Sequence, residues 1–247
     1  MNKQPVYYMQ TDARWKNTDY SAPGESTTIG RAGCGPTCAA MVIATLTGKQ
    51  ISPVETCAWS VEHGYKAKGQ GTYYGYFTPQ MAAYGIACDR LTSGNIYGQP
   101  DHKAHQEALN RLKEGYYIIA LMGKGLWTSS GHYVLVWWQD GKVRINDPAS
   151  TRQERLSGDV STFRSQVKHY WWVDAREYNK EDDDMTDEKF NELMQRWLKA
   201  QSEKPADDWA EPHIEQAKAA GITDGSRPKA LATRQEVMAM VNAAVSK

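Results

Sequence analysis

The sequence lacks an excess of charge of either sign, because 29 Lys and Arg residues balance 29 Asp and Glu residues in 247. Partners such as nucleic acid or a membrane surface usually require a basic face, so neither is expected. A run of about 18 apolar residues, which a membrane-spanning helix needs, is missing too. The first residues hold no apolar stretch of signal-peptide length. We therefore expect synthesis in the cytoplasm, with another export route for any work outside it.

Cysteine and phenylalanine are scarce. Four cysteines in a chain of this length do not form the dense pattern of a disulfide-stabilised protein, so we expect free thiols. Only 3 Phe stand against 14 Tyr and 9 Trp. Tyrosine and tryptophan combine an apolar body with a polar tip, which suits a groove for a sugar or a peptide, although many of them will belong to the core.

Composition changes near residue 178, after most aromatic residues, all cysteines and nearly all glycines have passed. The change predicts three parts, at 1–178, 179–206 and 207–247. The middle part is charged and helical in pattern, with Asp182–Asp184 as a solvated boundary and Thr186 as a helix cap. The last part predicts two short helices, near 209–220 and 234–245.

Within the first part, helical patterns come before strand patterns. Helices are predicted at 34–48, 52–64, 78–85 and 102–115, and strands at 116–122, 132–139, 142–147 and 169–173. Ser52 with Glu55, and Thr233 with Glu236 near the end of the chain, have the spacing of a helix capping box. Helices followed by a mostly antiparallel sheet predict an α+β fold.

One cysteine lies where the chain bends into its first long helix, in the stretch GRAGCGPTCAAMVIATLTG at 30–48. If the helix begins just after Cys34, the sulfur lies at the positive end of the helix dipole, beside unpaired amide groups. That position lowers the pKa of a thiol and favours the nucleophilic thiolate. Gly33 and Gly35 permit a sharp turn and leave room for a substrate backbone. The alternative is a small buried hydrophobic residue.

A hairpin pattern pairs an imidazole with a carboxylate. The Asp-Gly dipeptide at 140–141, between two strand patterns, is a strong signal for a two-residue turn. With this turn, Gln139 pairs with Lys142, and the same register makes His132 and Asp147 diagonal neighbours on one face. Diagonal Cβ atoms lie about 7 Å apart, within reach of a hydrogen bond between the two side chains. The sequence thus predicts an oriented base for the thiol.

The other histidines offer no comparable pair. His63, His102, His105 and His213 are expected at the surface, and His169 has no acid across a turn. The thiol, the imidazole and the carboxylate of the hairpin are therefore predicted to act as nucleophile, base and orienting group.

Two alternatives remain open at this point. The first is a core histidine bonded to a hairpin aspartate, with an unrelated cysteine. The second is a zinc site, because Cys34 and Cys38 lie one helical turn apart, but Cys57 and His63 do not complete a standard zinc pattern. We expect no metal and no cofactor. Cys38 is then expected to pack on the helix, and Cys57 and Cys88 to lie in the core.

Three segments, YYMQTDARW, TTIGRAGCGPTCAAMV and GHYVLVWWQDGKVRINDPAS, resemble the papain-like cysteine peptidases of the bacteriocin-leader-processing-like family. The resemblance spans about residues 6–175 and implies a papain-like α+β fold. It implies Cys34 as the nucleophile, His132 as the base and Asp147 as the orienting acid. It also makes Gln10 a candidate donor to the oxyanion, together with the Cys34 amide.

Two features point away from leader processing. Dedicated leader-processing peptidases carry their glutamine six residues before the cysteine, where this chain has Thr28, and they are usually fused to a transporter.

The final segment, WAEPHIEQAKAAGITDGSRPKALATRQEVMAMVNAAV, resembles a single S-layer-homology unit. A papain-like head with such a tail resembles phage or prophage endolysins, which implies bacterial peptidoglycan as the partner. The tail is then expected to bind the wall or to form a homo-oligomer through its helices.

The resulting hypothesis is a cysteine peptidase that hydrolyses peptide bonds of peptidoglycan and acts at the cell wall after release. The residues expected to contact the substrate are Gly33, Gly35, Tyr73, Tyr74, Trp127 and Gly131. One alternative is a thiol acyltransferase, such as a transpeptidase, or a processing protease, which would use the same catalytic residues. Another is a groove that binds wall peptides without cutting them.

Overall fold

The computed structural model describes residues 3–157, 160–179 and 187–245, and the side chains of all of these except 187–189. Two compact units divide the chain, Met1–Glu181 and Asp182–Lys247. The finer division into three parts stays a prediction. The expected boundary at Asp182–Asp184 and the expected cap Thr186 lie outside the described residues.

The first unit combines helices with one antiparallel sheet, and the α+β prediction is confirmed. Its helices are α1 Ile29–Ala32, α2 Cys34–Thr47, α3 Pro53–Glu62, α4 Phe77–Ala82, α5 Lys103–Lys113, α6 Gln153–Leu156, α7 Val160–Gln166 and α8 Arg176–Asn179. Its strands are β1 Cys88–Arg90, β2 Tyr117–Met122, β3 His132–Gln139, β4 Lys142–Asn146 and β5 Val167–Val173, in the order β1-β5-β2-β3-β4. The four predicted helices and four predicted strands are all present, with ends shifted by a few residues.

Helix α2 is the central helix of this unit, and 11 of its 14 residues are buried. Such a helix is apolar around its whole circumference, because other elements enclose it. It ends at Gly48, whose φ of 66° is left-handed and whose amide donates to the Ala44 carbonyl oxygen. Helix α3 beside it begins with the predicted capping box, in which the Glu55 carboxylate accepts the Ser52 amide at 2.9 Å.

The β3–β4 hairpin has the predicted register. Asp140 and Gly141 form the turn with φ values of 51° and 74°, the two positive values that a type I′ turn requires. Gln139 pairs with Lys142, and the pairing continues to Leu135 opposite Asn146 (residues 135–146). Because side chains alternate between the faces of a strand, this register fixes which residues of the two strands point the same way.

The sheet has a hydrophobic core on each face. On one face, α2 and α4 pack against Leu121, Tyr133, Leu135, Trp137 and Trp171. On the other face, residues of α5 and α7 pack against Ile118, Ala120, Val134, Val136 and Tyr170. The alternation along β2 and β3 therefore separates two cores, and α2 belongs to only one of them.

The expectation that His105 is a surface residue is wrong. Its imidazole is buried on the second face of the sheet, where Nδ1 accepts from the Tyr170 hydroxyl at 3.0 Å and Nε2 donates to the Gln99 carbonyl oxygen at 2.9 Å. Burial lowers the pKa of His105, which keeps the ring neutral. The polar residues around His105 in the sequence indicated an exposed position. The histidine instead lies on the side of the amphipathic helix α5 that packs on the sheet.

The second unit contains α9 Asp187–Ser202, α10 Glu211–Ala219 and α11 Arg234–Val245. The predicted capping box of α11 is confirmed, since Thr233 donates its amide to the Glu236 carboxylate at 2.7 Å and its hydroxyl accepts the Glu236 amide at 3.2 Å. Across the described ranges of both units, the helices are too short or too polar to cross a membrane.

Candidate active site

Cys34 is the first residue of α2 and follows directly on the short helix α1. The junction is Gly33, where a Cβ atom would lie only 2.7 Å from the Ile29 carbonyl oxygen, so a larger residue would clash with the backbone of α1. Glycine therefore lets one helix end and another begin without a loop. The thiol consequently lies at the N-terminus of a 14-residue helix, near its free amide groups.

Gly35 lies below the floor of the cleft that opens beside Cys34. A Cβ atom at this position would lie 3.1 Å from the Thr72 hydroxyl and 3.2 Å from the Tyr133 ring. Both of these residues line the cleft, so a side chain here would push its floor outward. Gly33 and Gly35 thus shape the turn and the floor respectively.

The imidazole of His132 is hydrogen-bonded to the carboxylate of Asp147. Nε2 of the ring donates to Oδ1 of Asp147 at 2.7 Å, and both side chains are buried. The same oxygen accepts the Ala149 amide at 2.8 Å, which fixes the carboxylate on the backbone just beyond β4. The contact predicted from the hairpin is confirmed. Because Nε2 is engaged by the acid, Nδ1 is the nitrogen that can face the thiol.

Two further residues contact Asp147, and neither was predicted from the sequence. Nη2 of Arg155 lies 2.8 Å from Oδ2 of Asp147, and the arginine side chain is largely buried. The Tyr7 hydroxyl donates to the carbonyl oxygens of Asp147 at 2.7 Å and of Ser150 at 2.9 Å. The carboxylate therefore has a cation on one oxygen and the imidazole on the other.

The thiol and the imidazole share a hydrogen bond and shift each other's pKa. Burial alone would raise the pKa of Cys34, but the hydrogen bond and charge of His132, with backbone donors, outweigh it and lower that pKa. Burial alone would lower the pKa of His132, but Asp147 and Cys34 raise it to about 9. The favoured state between the two pKa values is therefore a thiolate beside an imidazolium.

The other cysteines lack this environment. Cys38, Cys57 and Cys88 are buried and free, as expected, and burial raises the pKa of each thiol. His169, the other strand histidine, is held by Arg90, and burial lowers its pKa to about 4. Over the described residues, no group of three or more His, Cys, Asp or Glu side chains is arranged to hold a metal ion.

Gln10 is buried beside the same turn. Its backbone amide donates to the Pro148 carbonyl oxygen at 2.7 Å, next to Asp147, and its Nε2 donates to the Gly30 carbonyl oxygen at 2.9 Å. The glutamine thus connects the segment that carries the carboxylate with the helix that precedes Cys34. Its role as an oxyanion donor stays a prediction.

The cleft beside Cys34 has a volume of about 390 Å³. Its walls come from the loop at 69–74 on one side and from Ser130 and Gly131 on the other, with Tyr133 and Leu121 from the sheet. Of the residues predicted to contact a substrate, Tyr74 and Gly131 line this cleft and Gly35 lies below its floor. Tyr73 is exposed on the same loop.

The prediction for Trp127 needs correction. Its side chain is buried in the second core, where the ring packs on Phe163 at a centroid distance of 5.4 Å and the indole donates to the Arg155 carbonyl oxygen at 2.9 Å. The glycine-rich loop around it indicated a position in the cleft. Instead the ring turns inward and donates to the backbone of Arg155, the residue whose guanidinium pairs with Asp147.

An α+β fold, with a thiol at the start of its central helix beside a histidine on the adjoining sheet, defines a papain-like cysteine peptidase. Residues 6–180 match the model of the Peptidase_C39 like family, and the chain belongs to that family. A comparison with curated proteins gives no match.

Proposed function

We propose that Cys34, His132 and Asp147 form the catalytic triad of this peptidase. The observation that carries the proposal is the continuous chain of contacts from thiol to imidazole to buried carboxylate, at the wall of an open cleft. The Cys34 thiolate would attack the carbonyl carbon, and the His132 imidazolium would give its proton to the departing amine. Water, deprotonated by the neutral imidazole, would then release the acyl group. Asp147 holds the ring in the tautomer that both steps need.

The negative oxygen of the tetrahedral intermediate needs hydrogen-bond donors. The backbone amide of Cys34 lies in the first turn of α2, where amides have no partner within the helix. The Gln10 side chain has two N–H groups on Nε2, and one of them is engaged by Gly30. We propose that the second donates to the oxyanion together with the Cys34 amide.

We propose peptides of bacterial peptidoglycan as the substrate. Gly69, Gly71 and Gly131 are among the residues that line the cleft, and their lack of side chains leaves space for a branched or D-configured peptide backbone. The resemblance of the final segment to an S-layer-homology unit supports a site of action at the cell wall. We propose that this unit binds wall polymer or self-associates, since Met238, Val241 and Val245 of α11 are exposed within it.

Digestion of purified peptidoglycan tests this proposal. We expect the protein to release fragments whose masses correspond to one hydrolysed peptide bond, with one new amino terminus for each new carboxyl terminus. Fragments that are joined instead of hydrolysed would indicate a transpeptidase that uses the same triad, because an amine rather than water would have resolved the acyl-enzyme. Unchanged peptidoglycan, with a Cys34 that still reacts with small electrophiles, would contradict the substrate proposal.

Arg155 is expected to be a positioning residue for the carboxylate. Replacing it with methionine removes the cation from a buried ion pair, and we expect the free energy of unfolding to fall by about 3 kcal/mol. The loss of a positive charge near His132 should also raise its pKa further, so the basic limb of the pH profile of kcat/KM should move to higher pH. Urea unfolding and the pH profile measure the two effects.

Arg152→Met is the matched control, because Arg152 lies three residues away, is mostly exposed and pairs with the exposed Glu154. We expect its unfolding free energy to change by no more than about 0.5 kcal/mol. If Arg155→Met left both the stability and the basic limb where they are in the wild type, Arg155 would not hold the carboxylate.

A further inference from the structure

Strand β5 contains one residue more than a regular pairing with its neighbour β2 requires. Residues 117–121 of β2 pair in regular antiparallel register with β5, up to Leu121 opposite His169, but Met122 then pairs with Val167. Lys168 is the extra residue of this β-bulge and has no partner in the ladder. Bulges locally twist a strand and change the direction of a side chain, and they are frequent next to active sites.

The bulge brings Lys168 to the cleft that also contains Cys34. Leu121, whose pairing comes directly before the bulge, lines the same cleft, as does Gly131, which precedes His132. A regular strand would have continued the alternation of β5 without an extra residue. The bulge is therefore the local reason that a lysine lies on the wall of this cleft.

The charge of Lys168 has no counterion among the described residues. Apart from Cys34, the cleft is lined by glycine, hydroxyl, amide and apolar side chains, and Lys168 is the one cationic residue among them. The nearby cation Arg90 is already engaged, because its guanidinium donates to His169 at 2.8 Å and lies over the Tyr74 ring. Lys168, in contrast, makes no ion pair with a described carboxylate, and its charge contributes to lowering the pKa of the neighbouring His169.

We propose that Lys168 forms an anion-binding subsite, which selects substrates with a free carboxylate next to the bond that is cut. This subsite depends on the proposed function in one respect, namely that Cys34 is the reacting group. Clefts with low-dielectric walls concentrate the field of a charge, so one lysine can favour an anionic substrate over a neutral one. Peptidoglycan stem peptides carry such carboxylates, and some are replaced by carboxamides, so the subsite would distinguish acidic from amidated walls.

The test uses two alkylating probes that differ in charge. The Cys34 thiolate displaces iodide from either iodoacetate or iodoacetamide, forming an S–C bond as the C–I bond breaks, so neither reaction requires a peptide substrate. We expect Lys168→Met to lower the ratio of the iodoacetate rate to the iodoacetamide rate by about 3- to 10-fold. The difference between wild type and variant should shrink as salt is added, because mobile ions screen the charge.

Two variants serve as controls. Lys168→Arg keeps the charge and should keep the wild-type ratio. Lys142→Met removes an exposed lysine at the far end of the β3–β4 hairpin from His132 and should leave the ratio unchanged. An equal ratio in the wild type and Lys168→Met, with normal alkylation by iodoacetamide, would overturn the subsite and leave the nucleophile untouched.

A pair of stem peptides that differ only in a carboxylate or a carboxamide extends the test to catalysis. We expect the wild type to cleave the acidic peptide with the higher kcat/KM, and Lys168→Met to lose this preference while it still cleaves both. If the preference persisted in Lys168→Met, other residues would be responsible for it, and the proposal would be contradicted. If neither peptide were cleaved while the alkylation ratio responded as expected, the subsite would stand and the peptidoglycan substrate would be wrong.

Discussion

Replacing Cys34 with alanine is expected to reduce peptide-bond cleavage by about 10⁴-fold or more, because no other group could form the acyl-enzyme. The fold should persist, since Cys34 lies at the surface-facing start of α2 and is only partly buried. The activity is measured on peptidoglycan or on the stem peptides, and folding is measured by urea unfolding. The serine variant should be almost as inactive, because a hydroxyl does not ionise beside His132 as a thiol does.

Cys38→Ala is the matched control, since Cys38 lies one helical turn further along α2 and burial raises the pKa of its thiol. We expect this variant to lose some stability and to keep most of its activity. Cleavage that survived in Cys34→Ala at the wild-type rate would remove Cys34 from the mechanism.

Replacing His132 with alanine is expected to have the second large effect and to reduce kcat/KM by about 10³- to 10⁴-fold. Two contributions combine, because the variant loses the proton donor for the leaving amine and also the charge that lowers the pKa of Cys34. The pKa of the thiol should then lie at or above the ordinary value for cysteine, because burial raises it and His132 no longer lowers it. Peptide cleavage together with the pH dependence of thiol alkylation separates these contributions.

His105→Gln removes another buried imidazole, which lies among residues of the second core and is hydrogen-bonded to Tyr170 and Gln99. It should lower stability and leave kcat/KM near the wild-type value. An equal loss of activity in both histidine variants would mean that His132 acts through the fold and not through proton transfer.

The sequence was sufficient to predict the hairpin and one of its contacts. The Asp-Gly turn at 140–141 determines the register of β3 and β4, and that register places His132 and Asp147 together without any knowledge of the remaining fold. Local rules of the same kind predicted the caps at Ser52 and Thr233. These features depend on residues that are close in sequence, for which the rules of turns and caps apply.

Contacts between distant segments were beyond this kind of prediction. Arg155 follows Asp147 in a short helix with no periodic pattern, and Tyr7 reaches Asp147 from the other end of the unit. The bulge at Lys168 depends on how β5 meets β2, which no local pattern reveals. Strand β1 has only three residues, too few for a recognisable alternation. The prediction that Trp127 contacts the substrate failed for a related reason, because a loop pattern does not determine the direction in which a side chain points.

The central claim is that Cys34 and His132 form a thiolate–imidazolium pair, and the pH dependence of Cys34 alkylation tests it most directly. With iodoacetamide, the rate between about pH 4 and about pH 10 should rise in two steps. The first step comes as the pair forms, below the ordinary pKa of cysteine, because His132 lowers the pKa of the thiol. The second comes as the imidazolium loses its proton, since the pKa of His132 is raised to about 9.

Peptidase activity should appear with the first step and be lost with the second, because the attack needs a thiolate and the leaving amine needs the imidazolium proton. In His132→Ala, the alkylation profile should collapse to one step at or above the ordinary cysteine value of about pH 8.5, because burial still raises the pKa of the thiol. A wild-type profile that already shows only this single step would contradict the pair, and with it the proposed mechanism.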